Sequence, residues 1–198
     1  MSVSVTAKRK SMKETAGSAL GWVTSLVGLL AIFSMVNIYG TAVRPAWDNA
    51  NTYITFFGTT FALGSLGAAS FIAYGAKGSV HSPEILTILK KVSLIGLVAV
   101  VVQLIYLPVF ISGLGNGVAA AMASAQLLSG SYLFPLVVYG VLSLVGVGLL
   151  YYGLGKATST KSIPVNVVYL ALIMIFIGAF IGRYVFYASA VSVMIGQP

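Results

Sequence analysis

A single arginine lies within the last long apolar segment of the chain. Arg183 stands in the sequence IGRYVFY at 181–187, and no acidic residue is close to it in the sequence. A guanidinium near the middle of a bilayer costs at least about 2.5 kcal/mol, and less near the surface. Such an arginine lines a cavity, pairs with a polar group, meets a ligand or extends to the lipid headgroups, so Arg183 is the first candidate for a functional residue.

The neighbours of Arg183 could bind a flat polar ring. Gly182 allows a ring or another backbone to approach closely, and Tyr184 and Tyr187 are adjacent aromatic residues. Tyr187 follows Arg183 by one helical turn, so both can face the same groove. A cation, a phenol and aromatic faces suit a quinone head group, whose carbonyls need hydrogen-bond donors. Aromatic residues also collect at membrane interfaces without any ligand, and for Tyr187 that alternative stays open.

The elements that must position these residues are apolar and long. Hydrophobic residues make up 59% of the 198 residues and charged residues 7%, which indicates an integral membrane protein. Each of five apolar segments can cross about 30 Å of hydrocarbon as a helix, and none shows the alternation of a membrane barrel. We therefore predict an all-α bundle with five transmembrane spans, at 16–38, 53–74, 92–112, 132–154 and 165–190.

The same pattern predicts the organisation of the chain. A basic cytoplasmic segment at 1–15 precedes a transmembrane domain at 16–198. The Ala-rich stretch 116–129 is weakly apolar and is expected to form a short interfacial helix. Close helix packing is expected at small residues with helical spacing, which are Gly64, Gly67 and Ala68 in the second span and Gly140, Gly146 and Gly148 in the fourth.

The distribution of basic residues predicts the orientation. With five spans, one side of the membrane has Lys8, Arg9, Lys10, Lys13, Lys77, Lys90, Lys91, Lys156 and Lys161, whereas the other has Arg44 in its first loop. Because short cytoplasmic loops are enriched in Lys and Arg, the amino terminus is expected inside and the carboxyl terminus outside a bacterial or archaeal cytoplasmic membrane.

This orientation brings Arg183 close to the outer boundary of the hydrocarbon. It follows Val165 by 18 residues (183 − 165), or about 27 Å of helix. Asp48 is then the carboxylate of this chain that could reach it, and Arg44 competes for Asp48 four residues earlier. Gln103 is a lone polar residue in the third span, where we expect it to hydrogen-bond across helices.

The residue inventory excludes several kinds of chemistry. The sequence has no cysteine, one histidine (His81) and three acids, which are Glu14, Asp48 and Glu84. Disulfides, thiolate-bound clusters and bis-histidine haem within this chain are therefore excluded, and we expect no cofactor or metal bound in it. Ion-coupled transport normally needs acids or histidines inside the membrane, which makes a small transporter the weaker alternative.

Several motifs, in order along the chain, resemble the membrane anchor subunits of dimethyl sulfoxide reductases, within the broader group of molybdopterin oxidoreductase anchors. They are VNIY at 36–39, PAW at 45–47, TYITFFGTT at 52–60 with Leu63-Gly64, and the closing IGRYVFY at 181–187. The resemblance extends over nearly the whole chain. Such anchors usually have eight spans, and these five resemble the last five. We therefore expect a truncated gene, a split subunit or a reduced variant of such an anchor; for a split subunit, a separate chain would supply the missing helices.

The resemblance implies a function and a set of partners. The anchor would take electrons from menaquinol near the outer face and pass them to an iron–sulfur subunit, which serves a molybdopterin catalytic subunit. The quinone site would include Gly182, Arg183, Tyr184 and Tyr187, and the outer face for partner docking would include Tyr39, Arg44, Trp47 and Asp48. The alternative is a structural or assembly subunit of the membrane without a quinone site.

Overall fold

All regular elements of the described chain are helices. The computed structural model describes residues 2–40, 43–75, 83–160 and 165–194, with side chains over 15–40, 43–75, 84–155 and 165–194. No strand occurs in these ranges. The helices are α1 (Ser2–Gly40), α2 (Ala50–Gly75), α3 (Pro83–Gly115), α4 (Ala119–Ser129), α5 (Leu133–Thr160) and α6 (Val165–Ala188). The predicted all-α fold is confirmed.

Five of these helices are long and apolar enough to cross a membrane. They are α1, α2, α3, α5 and α6, and each contains most of one predicted span. Two helices begin well before their predicted spans: α1 begins at Ser2 instead of residue 16, and α3 begins at Pro83 instead of residue 92. Lys90 and Lys91 lie just before the apolar segment of α3, and lysine is a good helix former. The helix therefore extends toward the amino terminus beyond its apolar part. The short helix expected at 116–129 is α4, which starts at Ala119 after Gly115 and Gly117.

The chain forms two compact units, Met1–Ile38 and Tyr39–Pro198. Within the second unit α2 packs mainly against α3 and α5 against α6, while contacts of α3 with α5 and of α2 with α6 complete a four-helix arrangement. α4 lies against α3 and, to a smaller extent, α5. Most of the basic residues behind the predicted orientation, together with His81, lie outside the described side chains.

The second unit has two apolar clusters. The larger joins α2, α3, α5 and α6 around Leu66, Leu89, Leu150 and Ile175. The smaller includes Phe110 of α3, Leu128 of α4, Leu136 of α5 and Val185 of α6. The smaller cluster lies where α2 begins, α3 ends, α5 begins and α6 ends. We call this the arginine end of the bundle.

Glycine contacts explain the close approach of α5 and α6. A Cβ atom at Gly146 would lie 2.8 Å from Ile175 Cγ1 and 3.1 Å from the Ala171 carbonyl oxygen, so only glycine fits there. A Cβ atom at Gly178 would lie 3.0 Å from Ser143 Oγ. The close packing predicted at Gly64 and Gly67 of α2 and at Gly148 of α5 is not found within the second unit, because none of its described atoms lies within 4 Å of a Cβ position there.

Candidate functional site

A small polar cavity lies at the arginine end between α2, α3, α5 and α6. Its volume is about 50 Å³. Its polar lining residues are Asn51, Thr55 and Thr59 of α2, Gln103 of α3, Tyr139 of α5, Arg183 of α6 and Ser189 just after it. Polar side chains near the ends of membrane helices normally lie in water or among lipid headgroups. Because these lie together between the helices of a largely apolar bundle, the cavity is the candidate site.

Arg183 is held between aromatic faces and has an unused donor. Its guanidinium carbon lies 3.8 Å from the ring centroid of Phe56 and 5.6 Å from that of Phe186. Such cation–π contacts are worth up to about 2 kcal/mol where water is excluded. The Nη1 atom is buried and finds no hydrogen-bond partner among the described residues. A buried donor without a partner costs about 1–3 kcal/mol, so the site favours a ligand with an acceptor oxygen.

No carboxylate belongs to the described lining of the cavity. Asp48, which the sequence offered as a partner for Arg183, lies exposed in the preceding loop, and its backbone N–H donates to the Arg44 carbonyl at 3.3 Å. The guanidinium of Arg183 is therefore stabilised by aromatic faces, and no acid of that lining neutralises its charge. This arrangement leaves the guanidinium available to an anionic or carbonyl oxygen.

Gln103, in the same lining as Arg183, connects α3 with α2 and α5. Its Nε2 donates to the Ala99 carbonyl at 3.0 Å, and its Oε1 accepts from Thr59 Oγ1 and from the Tyr139 hydroxyl, both at 3.3 Å. The expected hydrogen bonds across helices are thus confirmed. Hydroxyl hydrogen bonds are usually 2.5–3.0 Å long, so the two bonds to Oε1 are weak and a ligand oxygen could replace them.

Two glycines give the cavity its shape. A Cβ atom at Gly182 would lie 3.1–3.3 Å from the Tyr139 ring, so the glycine allows that ring to pack against α6. A Cβ atom at Gly58 would lie 2.5–2.6 Å from the side-chain atoms of Gln103. The positions of Tyr139 and Gln103 therefore depend on these two glycines.

An aromatic cluster, consisting of Tyr39, Trp47, Phe56, Phe186 and Tyr187, lies next to the cavity. Trp47 stacks on Phe186 with centroids 5.9 Å apart, and its Nε1 donates to the Phe186 carbonyl at 3.1 Å. The hydroxyls of Tyr39 and Tyr187 are hydrogen-bonded at 2.7 Å. These contacts tie the loop before α2 to the end of α6 and fix the aromatic rings that face Arg183.

The structure separates the predicted quinone-site residues. Gly182 and Arg183 line the cavity, whereas Tyr184 and Tyr187 are absent from its lining. Tyr187 belongs to the aromatic cluster, and Tyr184 is 58% exposed with its ring 6.2 Å from that of Tyr132. Successive residues of a helix point about 100° apart, which explains why the Tyr184 side chain points away from the cavity although Arg183 lines it.

The predicted docking residues also divide into two groups. Tyr39 and Trp47 are engaged in the aromatic cluster. Arg44 lies over the Trp47 ring, with its guanidinium carbon 4.5 Å from the centroid, and Asp48 is exposed. Tyr39 and Trp47 thus support the loop, whereas Arg44 and Asp48 are the residues that a partner could contact.

Sequence reasoning did not place Thr59 or Tyr139 in the site. Both residue types are ordinary in membrane helices, and their common position appears only when the helices pack. A weak indication existed, since Thr59, Gln103, Tyr139 and Arg183 all lie within about four turns of the arginine end of their helices. Among the described residues no group of three His, Cys, Asp or Glu could hold a metal ion.

These features define a multi-pass membrane protein with a polar cavity between its helices. The family model of the DMSO reductase anchor subunit (DmsC) matches residues 3–189, nearly the whole chain, and the chain therefore belongs to that family. It is a membrane anchor subunit of a DMSO reductase-type oxidoreductase. Neither the curated proteins nor the solved structures compared with it include a significant match.

Proposed function

We propose that this anchor subunit binds a quinol at the Arg183 cavity and passes its electrons to an iron–sulfur subunit. The observation that carries the proposal is Arg183, which lines the cavity and whose buried Nη1 atom has no hydrogen-bond partner among the described residues. A quinol offers the matching acceptor oxygen, and its flat ring can pack against the lining aromatic residues Tyr139 and Phe186. The family membership supports the redox role.

The site residues have separate tasks in this proposal. Arg183 donates a charge-assisted hydrogen bond to a quinol oxygen and stabilises the negative charge that forms when the first proton leaves. Gln103 and Tyr139 hold the opposite edge of the ring. Oxidation of one quinol yields a quinone, two protons and two electrons; the electrons pass singly to an iron–sulfur cluster in the partner subunit, and the protons pass to water.

The size of the cavity limits how the ring can bind. A cavity that binds benzene has a volume of about 150 Å³, whereas this one has about 50 Å³. The described cavity therefore admits an oxygen edge or a few water molecules, and a whole ring requires a side chain to move. Gln103 is suited to move because its contacts to Thr59 and Tyr139 are long.

The rival function is a structural or assembly subunit that binds partners but no quinone. In that case the cavity would hold only water, and Arg183 would serve packing. We favour the quinol site because a purely structural role gives no reason to keep a half-buried cation, with one buried and unpaired donor, beside a cavity whose described lining lacks a carboxylate.

The partners follow from family membership. We expect an iron–sulfur subunit and a molybdopterin catalytic subunit to purify with the chain from its native membrane in mild detergent, as identified by mass spectrometry. A quinone should appear in the lipid extract of the complex. A chain that purifies alone or with unrelated proteins, and without quinone, would contradict both the anchor role and the quinol site.

The orientation can be tested with single cysteines at two exposed positions. We expect Asn116→Cys to react with a membrane-impermeant maleimide added outside intact cells. Glu84→Cys, also exposed, should react only after the membrane is opened. Partners would then dock at the arginine end on the outer side, near Arg44 and Asp48. The reverse labelling pattern would place the arginine end inside the cell.

A substitution at Gln103 tests which residues form the site. Gln103→Leu removes the amide but keeps a similar volume, and we expect menaquinone-4 to bind about 5- to 10-fold more weakly, as for the loss of about one hydrogen bond. Tyr184→Phe is the matched control, because that exposed hydroxyl lies outside the cavity lining. Affinity that falls with Tyr184→Phe and not with Gln103→Leu would move the site to another face of α6.

A further inference from the structure

A second space, larger and apolar, lies between α2 and α3. This groove has a volume of about 520 Å³, more than three times the roughly 150 Å³ cavity that binds benzene. All nine of its lining residues are apolar or glycine, and they include Phe57, Phe61, Ile95 and Val98. The side chains of Ile95 and Val98 are about half exposed, so the groove opens on the surface that faces lipid.

The groove and the polar cavity meet at Gln103. Gly58 and Ala99 line the groove, whereas Gln103 lines the cavity and touches both of them. Its Nε2 donates to the Ala99 carbonyl, and its side chain occupies the space beside the Gly58 backbone where any other residue would have a Cβ atom. At this level the wall between the two spaces is therefore the Gln103 side chain and the Gly58 backbone.

We propose that the groove binds the prenyl chain of the quinol whose head group binds in the cavity. This inference rests on the proposed function. Rotation of Gln103 away from Gly58 would join the two spaces, so that the ring lies against Arg183 and the chain leaves over Gly58. Ile95 and Val98 lie farther from the arginine end of α3 than Gln103, and Phe61 lies farther from that end of α2 than Gly58, which gives the chain a path toward the middle of the bilayer.

The position of the groove favours a quinol over a phospholipid as its occupant. A phospholipid has its head group at the membrane surface, whereas the polar group next to this groove is the buried amide of Gln103, which lies 12 residues (115 − 103), or more than three turns, before the end of α3. Lipid tails are as apolar as the groove, so the burial of apolar surface does not by itself favour a prenyl chain over a lipid acyl chain. A molecule whose polar ring continues directly into a hydrocarbon chain fits both spaces together.

The test fills the groove and leaves the cavity unchanged. Val98→Trp adds a large side chain at a half-exposed position in the groove, and Val109→Trp makes the same change on α3 at an exposed position outside its lining. Binding of menaquinone-4 and of menadione, the same ring without a prenyl chain, is measured to the full chain in lipid nanodiscs. Thermal unfolding of each variant confirms that it is folded.

We expect Val98→Trp to weaken menaquinone-4 binding about tenfold or more, because the larger side chain occupies space that the prenyl chain needs. Menadione binding should stay unchanged. Val109→Trp should change neither affinity. Equal affinities of wild type and Val98→Trp for menaquinone-4, or an equal loss for both ligands, would overturn the groove assignment, with a lipid acyl chain as the remaining occupant. A wild-type chain that binds neither ligand would instead overturn the quinol site itself.

Discussion

Arg183→Leu is expected to weaken binding of menaquinone-4 by roughly 10- to 150-fold. The range corresponds to the loss of a charge-assisted hydrogen bond, about 1.5–3 kcal/mol. The variant should remain folded, because leucine suits the apolar surroundings and the guanidinium has a buried donor that the described structure leaves unpaired. We expect the free energy of unfolding to change by no more than about 1 kcal/mol, since the lost cation–π contacts are offset by the removal of a desolvated charge.

Arg44→Leu is the matched control for this prediction. Arg44 also lies over an aromatic ring, that of Trp47, but outside the cavity lining. If Arg183 acts by direct contact, Arg44→Leu leaves quinone affinity unchanged, and Arg183→Lys recovers part of it by keeping the charge without the planar fork. Equal losses at both arginines would indicate a general effect of surface charge, and unchanged affinity in Arg183→Leu would refute the site.

Gly146→Val is expected to destabilise the packing of α5 against α6. A Cβ atom there already meets Ile175 and the Ala171 backbone, and a backbone carbonyl cannot rotate away as a side chain does. Overpacking of this kind typically costs about 1–3 kcal/mol, and the fixed backbone contact places this case at the upper end of that range. We expect the loss to appear as a lower midpoint of thermal unfolding in detergent.

Gly148→Val is the corresponding control on the same helix. No described atom lies within 4 Å of a Cβ position at Gly148, and the residue is exposed. The intrinsic preferences of glycine and valine for a helix are the same in both variants, so the difference between them isolates the contact with α6. Similar midpoints for the two variants would show that α5 and α6 approach less closely than the structure describes.

The fold could be predicted because its main determinant is local. An apolar segment of about 20 residues must form a helix in lipid, and five such segments predict five spans without any knowledge of their neighbours. The ends were harder, as α3 shows, because a helix can extend past its apolar part through Lys90 and Lys91. Packing was harder still, since Gly64 and Gly146 look equivalent in the sequence but only Gly146 meets another helix closely.

The site was predictable only in part for a related reason. Arg183 stands out in the sequence because its charge is costly in an apolar segment. Tyr139 and Thr59 do not stand out, and they join the site through contacts with Gln103 from two other helices. Tyr184 was included because it adjoins Arg183, but adjacency along a helix separates side chains, whereas a spacing of three or four residues brings them together.

A cryo-EM structure of the complex, purified with its partners in the presence of menaquinone-4, would test directly whether the quinol binds in the Arg183 cavity. We expect ring density in the cavity lined by Arg183 and Gln103, with one quinone oxygen within hydrogen-bonding distance of Arg183 Nη1 and the prenyl chain passing over Gly58. A quinone ring bound elsewhere, with the Arg183 cavity closed or filled by water alone, would contradict this assignment.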